Sequence, residues 1–320
     1  MIFVLSLAFG AIFSWLISRY AGSFGLLDIP NGRSSHNLPT PRGGGIGILA
    51  AYIVSSAWLK LSLFIWLPAA LMAVVSFFDD KLTLSPRTRL FFQFGSALVF
   101  AGTTLRSTHS LFILIVLIIC FSIIITGTAN FYNFMDGING IAGITGIVAF
   151  CLLGLFAGNY AQQPTISLSA YCIAAACAGF LPFNVPRARV FMGDVGSVLL
   201  GFVFAADLVL LARTTADFLV VAGFLSTFYI DALTTLYVRK RNGERLSQAH
   251  RRHLYQLLAN QLRIPHWKVS VCYGLVQLLI GVLLLTVHPY GAGVVAVTIT
   301  VLASLWITVM YKIRQMVEVH

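Results

Sequence analysis

The stretch LFILIVLIICFSIIITG, residues 111–127, contains no charged side chain. It forms most of an apolar run at 109–127, and about 20 such residues are enough to cross a bilayer as a helix. Hydrophobic residues make up 58% of the whole chain and charged residues only 10%, and the mean hydropathy is +0.89. A soluble domain could not cover that much apolar surface with its polar residues. The sequence therefore predicts an integral membrane protein.

Similar apolar runs occur along the entire chain, near 1–19, 44–60, 61–78, 90–106, 140–158, 167–184, 197–213, 216–238, 268–286 and 291–311. Together with 109–127 they predict an all-α, polytopic transmembrane protein with about 10–11 spans. No linker or internal repeat divides residues 1–320, so we expect a single domain. The first run lacks a basic flank and a cleavage site, and we expect a retained span.

The basic residues are distributed unevenly between the two sides of this predicted topology. If the N-terminus lies outside, one face receives every Lys and Arg except Lys60, Arg106 and Arg213, out of 21. Basic loops stay in the cytoplasm, so this face is predicted to be cytoplasmic. The same rule accounts for the net charge of +11 without nucleic-acid binding. The cytoplasmic segments would be the loops 20–43, 79–89, 128–139, 185–196 and 239–267 and the tail after 311.

Two groups of polar residues in these loops point to metal or phosphate chemistry. Asp79 and Asp80 end the third span, where adjacent carboxylates are costly unless a cation or a basic partner compensates. Four Asx residues then follow at a spacing of three, which places neighbours on a common side of a helical turn: Asn130, Asn133, Asp136 and Asn139. The alternatives are a solvated helix end for the first group and a capped helix start for the second.

The segment Phe191-Met-Gly193-Asp194-Val-Gly196-Ser197 precedes the eighth span. Backbone N–H groups and the positive end of a helix dipole would lie beside Asp194, which suits a phosphate and its metal ion. A simple turn is the alternative. The segment therefore makes Asp194 a candidate site residue.

Basic residues flank these segments and suit anions. His250-Arg-Arg-His253 could face phosphate, anionic lipid or zinc, although no third zinc ligand stands nearby. Arg33, His36 and Arg42, the last beside a run of three glycines, present the same choice between a phosphate and a lipid surface.

Two carboxylates fall inside predicted spans, Asp207 and Asp231. Intramembrane carboxylates are functional candidates, and proton-coupled transport is the alternative function that they raise. A transporter distributes polar residues through the membrane interior around a central site. Here most polar residues gather at one face, which favours an enzyme.

The chain resembles the polyprenyl-phosphate N-acetylhexosamine-1-phosphate transferases over about residues 25–256. The resemblance is carried by Pro30-Asn-x-Arg-Ser-Ser-His36 with Pro-Arg-Gly-Gly-Gly45, Asp79-Asp80, Asn130-x-x-Asn133-Phe-Met-Asp136-Gly, Phe191-Met-Gly-Asp194-x-Gly-Ser197 and His250-x-x-His253-Leu-Tyr-Gln256. The His-Arg-x-His-Leu-Tyr-Gln form and the Arg-Ser-Ser-His loop look more like the branch that starts O-antigen synthesis than the cell-wall translocase. The translocase typically has Asp at the position of Asn139 and a His-rich triplet at 250–253.

This resemblance implies transfer of a sugar 1-phosphate from a UDP-N-acetylhexosamine to undecaprenyl phosphate, with release of UMP. The sugar would be of the N-acetylfucosamine, N-acetylquinovosamine or N-acetylglucosamine type. The partners would be these two substrates and membrane lipids, and a homodimer is left open. The enzyme would lie in the bacterial inner membrane with its site facing the cytoplasm.

The family's functional residues carry over onto the matching positions of this chain. Asp79, Asp80 and Asp194 would be catalytic, and Asp194 with Asn133 would bind Mg²⁺ or Mn²⁺. Asp79 would orient or deprotonate the lipid phosphate, and Asp80 and Asp136 would hold the metal shell or the nucleotide. The remaining substrate-binding residues would be Asn130, Asn139, Arg42, Arg89, His250, Arg252 and His253.

Overall fold

The computed structural model describes residues 1–30, 35, 38–82, 84–105, 110–245 and 251–318, and it is almost entirely helical. The N-terminal half contains six long or medium helices: α1 (Ile2–Tyr20), α2 (Ile46–Trp58), α3 (Leu63–Leu82), α4 (Pro86–Thr104), α5 (Leu111–Phe134) and α6 (Ile141–Asn159). Two very short strands, β1 (Leu27–Asp28) and β2 (Thr40–Pro41), pair antiparallel between α1 and α2.

The C-terminal half continues the bundle with helices of more variable length: α7 (Pro164–Asn184), α8 (Asp194–Leu211), α9 (Thr215–Gly223), α10 (Ser226–Arg241), the single turn α11 (Leu254–Gln256), α12 (His266–Val287) and α13 (Ala292–Glu318). Every apolar run predicted from the sequence is helical. The all-α, polytopic prediction is therefore confirmed.

The number of clear spans is lower than the predicted number. Among the described residues, eight helices are long and apolar enough to cross a bilayer, or nine if the bent pair α9–α10 counts as one span. Helix α2 has 13 residues, about 20 Å in length, which is shorter than a bilayer core. Helix α4 carries Arg87 and Arg89 in its first turns, and these charges shorten its apolar stretch. Which end of the bundle faces the cytoplasm stays a prediction.

Helix α8 forms the centre of the bundle. Almost all of its residues are buried, because it packs against α2, α3, α5 and α6. Its approach to α2 is close: a Cβ atom on Gly196 would lie 2.8 Å from the Cα of Gly45. The central position of α8 places its first residue, Asp194, among the ends of several helices.

The predicted span at 216–238 is broken into α9 and α10, which meet at an angle of 81°. A glutamine from α12 occupies the break. Gln277 Oε1 accepts hydrogen bonds from Thr227 N (3.0 Å) and Thr227 Oγ1 (2.9 Å), while Gln277 Nε2 donates to Gly223 O (2.9 Å). The side chain thus satisfies backbone groups that an unbroken helix would pair internally, which makes the break tolerable inside a membrane.

Candidate active site

Carboxylates from the end of α3 and the start of α8 meet around one arginine. Asp79 and Asp80 lie in the last turn of α3, and Asp194 begins α8. Arg89, from the first turns of α4, places Nε 2.9 Å from Asp79 Oδ2 and Nη2 2.9 Å from Asp194 Oδ2. A guanidinium group offers several donors in a planar fork, so it can hold two carboxylates at once. Arg89 therefore fixes the ends of three helices relative to one another.

The loop before α2 reaches the same cluster through backbone pairing. Residues 41–44 exchange hydrogen bonds of 2.7 and 2.9 Å with the backbone of Phe191. This pairing brings Arg42 Nη1 to 3.9 Å from Asp80 Oδ1, and Asp80 Oδ2 accepts a hydrogen bond of 3.4 Å from Val195 N. Arg42 Nε is buried without a hydrogen-bond partner. The Arg42 side chain as a whole is 27% exposed, so its terminal nitrogens can reach a bound anion.

Gly193, immediately before α8, has a backbone conformation that other residues avoid. Its φ is 74°, and a Cβ atom would lie 2.7 Å from Asp80 Oδ2 and 3.0 Å from Gly43 N. A side chain here would push Asp80 and the first loop away from Asp194. The glycine therefore permits the close approach of the two segments.

We expect Gly193→Ala to lower the rate of the reaction proposed below by about tenfold or more, because it displaces the carboxylates from one another. Gly291→Ala is the matched control, since Gly291 also has a positive φ, 89°, but a Cβ there meets no atom within 4 Å. Both variants pay a backbone penalty of about 1–3 kcal/mol. Initial rates and melting temperatures in detergent would be measured for both. Equal rates in the two variants would contradict the role given to Gly193.

Asn133 joins α5 to the start of α8. Its side-chain amide contacts Ser197 Oγ at 2.8 Å, and the amide orientation that satisfies both ends donates to Asp194 Oδ1 (3.1 Å) and accepts from Arg89 Nη2 (3.0 Å). Asn133 thus lies between Asp194 and Arg89 and can orient both. Its role as a metal ligand stays a prediction.

Asp136 lies in the loop after α5, near enough to the cluster for its charge to matter. Burial raises the pKa of the Asp136 carboxyl well above its usual range, and the negative charges of Asp194 and Asp80 raise it further. Loss of hydration and nearby like charges both disfavour an ionised carboxylate. A bound cation would relieve this repulsion.

The spacing of three does not produce a ladder of side chains along one helix, because α5 ends at Phe134. Asn130, on α5, donates from Nδ2 to Gln93 Oε1 on α4 at 2.6 Å. Asn139 lies in the following loop, where its Nδ2 donates to Pro186 O at 3.4 Å and its backbone carbonyl accepts from Ser270 Oγ at 2.8 Å. In these contacts Asn130 and Asn139 hold neighbouring segments in place, while Asn133 and Asp136 lie at the cluster.

In the basic segment 250–253, Arg251, Arg252 and His253 lie within the described residues and His250 lies outside them. Arg33 and His36 of the first loop also lie outside the described residues. Arg252 is half exposed and its guanidinium pairs with Glu244. His253 is buried, its Nδ1 lies 3.3 Å from Asp231 Oδ1, and its ring stacks on Tyr255 with 5.7 Å between centroids. The structure therefore attaches His253 to α10 rather than directly to the carboxylate cluster.

The two intramembrane carboxylates have different surroundings. Asp207 is buried in α8, about 20 Å along the helix from Asp194, and its Oδ2 has no hydrogen-bond partner. Asp231 is fully buried in α10 and accepts several hydrogen bonds, including one of 2.8 Å from Tyr273 Oη. Within the described part of the chain, no hydrogen bond connects Asp207 with Asp231.

The described residues contain no group of three His, Cys, Asp or Glu side chains that could hold a metal ion by themselves. The donors that the cluster offers are carboxylate oxygens, the ligand type that Mg²⁺ prefers. Mg²⁺ is commonly bound through one or two carboxylates and completed by substrate phosphates and water. The residues present fit a site of that kind.

Taken together, the cluster combines carboxylates, two guanidinium groups and a helix N-terminus where several spans end. Guanidinium groups and helix N-termini bind phosphates, and carboxylates bind the associated cation.

Two connections were not predicted from the sequence, Gln93 with Asn130 and Gln277 with the α9–α10 break. Their signal was a polar residue within a long apolar run, which in a membrane helix requires a partner.

Comparisons with known proteins identify relatives of this chain. Residues 62–212 match the model of glycosyl transferase family 4. The chain is 30% identical over 280 residues to a phospho-N-acetylmuramoyl-pentapeptide-transferase of Synechococcus sp. (strain JA-3-3Ab), covering 76% of this chain and 77% of the relative. It is 27% identical over 303 residues to a decaprenyl-phosphate N-acetylglucosaminephosphotransferase of Mycobacterium tuberculosis (strain ATCC 25618 / H37Rv), covering 78% and 72%.

A third relative has a related name and a shorter match. The chain is 26% identical over 213 residues to a probable undecaprenyl-phosphate N-acetylglucosaminyl 1-phosphate transferase of Bacillus subtilis (strain 168). That match covers 62% of this chain and 59% of the relative. The names of all three relatives describe transferases of phosphorylated N-acetyl sugars.

Proposed function

Because the chain belongs to glycosyl transferase family 4, the polyprenyl-phosphate N-acetylhexosamine-1-phosphate transferases, we propose that it transfers an N-acetylhexosamine 1-phosphate from a UDP-sugar to undecaprenyl phosphate. A phosphate oxygen of the lipid attacks the β-phosphorus of the UDP-sugar, the bond from that phosphorus to the bridging oxygen breaks, and UMP leaves. The lipid-linked sugar diphosphate would start O-antigen or another surface polysaccharide.

The observation that carries this proposal is the double contact of Arg89 with Asp79 and Asp194, at 2.9 Å each. Both substrates are anionic, so the reaction needs fixed positive charge at the point where they meet. Arg89 and Arg42 supply that charge beside the N-terminus of α8. Asp79 would mainly position the lipid phosphate, because the second pKa of a phosphate monoester is about 6 and a strong base is not needed.

The same site would hold Mg²⁺ or Mn²⁺, with Asp194 and Asp80 as the protein ligands nearest the start of α8. When bound, the ion neutralises phosphate charge as it shifts toward the leaving group. Asn133 would orient Asp194, and Asp136 would face the ion or the nucleotide. Arg252, His250 and His253 are assigned to the pyrophosphate or sugar by the family resemblance alone.

The proposed setting is the bacterial inner membrane, with the cluster on the cytoplasmic side. The uneven distribution of Lys and Arg supports this orientation. A cytosolic nucleotide sugar and a membrane-bound lipid phosphate could meet only at such an interface. A proton-coupled transporter is not favoured, because the chain belongs to a family of transferases.

The decisive test gives the purified protein undecaprenyl phosphate, Mg²⁺ and a panel of UDP-N-acetylhexosamines, and measures UMP release. The panel would include the N-acetylglucosamine, N-acetylfucosamine and N-acetylquinovosamine donors. We expect UMP and a lipid-linked sugar diphosphate with at least one donor, and loss of both products with a chelator. Absence of UMP with every donor would refute the transferase function.

An apolar groove of about 340 Å³ lies between α3 and α4 and supports a site for the prenyl chain. Phe91 and Phe92, two and three residues after Arg89, line the end of the groove nearest the cluster, and Leu71 lines the facing helix. Gly95 forms part of its floor, and a Cβ there would meet no atom within 4 Å. A prenyl chain in this groove would have its phosphate near Arg89.

Filling this groove should weaken binding of the lipid acceptor specifically. We expect Gly95→Leu to raise the KM for undecaprenyl phosphate about tenfold, since loss of contact with two methylenes is worth about 1.6 kcal/mol. The KM for the UDP-sugar should not change. Gly102→Leu is the control, because Gly102 lies on the same helix with equally open surroundings but does not line the groove. Equal KM values in the two variants would exclude this position for the chain.

A further inference from the structure

Asp231 lies fully buried on α10 and is surrounded by hydrogen-bond donors from other segments. Its Oδ1 accepts from Leu254 N at 3.0 Å and from Thr235 Oγ1 at 3.2 Å, and its Oδ2 accepts from Tyr273 Oη at 2.8 Å and Tyr255 N at 3.4 Å. A buried carboxylate is stable only when its oxygens are satisfied in this way. The donors leave Asp231 fully occupied as an acceptor.

These contacts let a residue of one helix cap another. Leu254 and Tyr255 begin the single turn α11, and their free backbone N–H groups bind the Asp231 carboxylate as they would bind an N-cap side chain. His253, the residue before the turn, also contacts Asp231 through Nδ1. One carboxylate thus determines where the segment 253–256 lies.

The same segment also contacts the loop that carries Asp136. Tyr255 Oη donates to Phe134 O at 2.9 Å, at the end of α5, and packs against Gly137. Asp136 lies between these two residues in the chain. A shift of Tyr255 would therefore move the loop that carries Asp136.

We propose that Asp231 is a positioning residue for the transfer reaction, which holds the segment 253–256 and, through Tyr255, the Asp136 loop. It touches neither substrate and takes no part in the bond changes. The inference rests on the proposed function, and it gives Asp231 a role that differs from the proton path considered for it above.

The test compares Asp231→Asn, Tyr255→Phe and the double variant with wild type. An asparagine would turn its NH₂ group toward one of the donors that now face the carboxylate. We expect kcat to fall about 100-fold in Asp231→Asn and about tenfold in Tyr255→Phe, since displacements near 1 Å can cost that much. The KM for undecaprenyl phosphate should not change in either variant. The double variant should be no slower than Asp231→Asn, because both changes interrupt one path.

Asp207→Asn is the control, because it makes the same substitution at a carboxylate that is also buried but lies in α8 and has an oxygen without a partner. Its kcat should equal that of wild type. A purely structural role for Asp231 would lower the melting temperature and the amount of active protein, but it would not produce non-additive kcat values per active site.

Three results would overturn the proposal: wild-type kcat in Asp231→Asn, wild-type kcat in Tyr255→Phe, or a double variant as slow as the product of the single effects. If Asp231→Asn cannot be purified in folded form, the kcat of Tyr255→Phe decides alone. Failure of the proposed function is recognised separately, because the wild-type protein would then release no UMP with any donor.

Discussion

Asp194→Asn is expected to slow UMP release by about 1,000-fold or more, equivalent to about 4 kcal/mol of transition-state stabilisation, while leaving the protein folded. Asparagine has the same shape but no charge, so the contact with Arg89 Nη2, now 2.9 Å, loses its ionic character. A cation bound there would lose its main carboxylate. The fold should persist, because the change also removes a negative charge beside Asp136 and Asp80.

The measurement is a comparison of initial UMP release with detergent melting temperature. Asp207→Asn serves again as the matched control, since it changes the same residue type in the same helix without touching the cluster. We expect it to retain wild-type activity. Near-normal turnover of Asp194→Asn would remove Asp194 from the metal and catalytic assignment. Raising the Mg²⁺ concentration should restore little activity, because the missing ligand cannot be replaced by mass action alone.

The helices and the composition of the site were predictable from the sequence, because both depend on local signals. A span needs only a run of apolar residues, and each predicted run is helical, although the run at 216–238 is divided between α9 and α10. The carboxylates at the end of α3 and the start of α8 were recognisable because charges next to an apolar span need a partner. Membership of the transferase family followed from motifs in the same segments.

The helix ends were less predictable, and this affected the site. Helix α5 extends to Phe134 and stops, so Asn133 lies on the helix while Asp136 lies in the loop. The regular spacing suggested four side chains on one side, but only a continuous helix would keep that register. The hydrogen bonds that join Asn139 to the loop before α8 and to α12 could not be inferred from spacing.

Contacts between distant segments were also beyond the sequence. The pairing of residues 41–44 with Phe191 brings Arg42 to Asp80, yet nothing in either segment alone specifies the other. Likewise, Asp231 on its own suggested a proton path. Its hydrogen-bond donors Leu254 and Tyr273 come from segments far along the chain, so the sequence did not reveal them. Such pairings depend on tertiary packing, which determines which buried polar groups meet.

Arg89→Met is expected to slow UMP release about 1,000-fold and also to destabilise the protein. Without the guanidinium, Asp79 and Asp194 face each other in a largely buried site, and two nearby carboxylates repel. The developing phosphate charge loses a donor comparable to the arginine residues of other phosphoryl-transfer enzymes, which are worth about 10³–10⁵ in rate. Arg89→Lys should recover only part of the activity, because one ammonium group cannot make both contacts with fork geometry.

The control is Arg87→Met, two residues earlier on α4, where the side chain is exposed and makes no ion pair with any described residue. It removes the same charge from the same helix turn, and its activity should stay close to wild type.

A second measurement separates the two effects of Arg89. If Arg89 offsets carboxylate repulsion, Mg²⁺ should raise the melting temperature of Arg89→Met more than that of wild type, because the cation then supplies the missing positive charge. An equal response in both proteins would mean that the cation binds elsewhere, and the assignment of Asp194 as its ligand would fail with it.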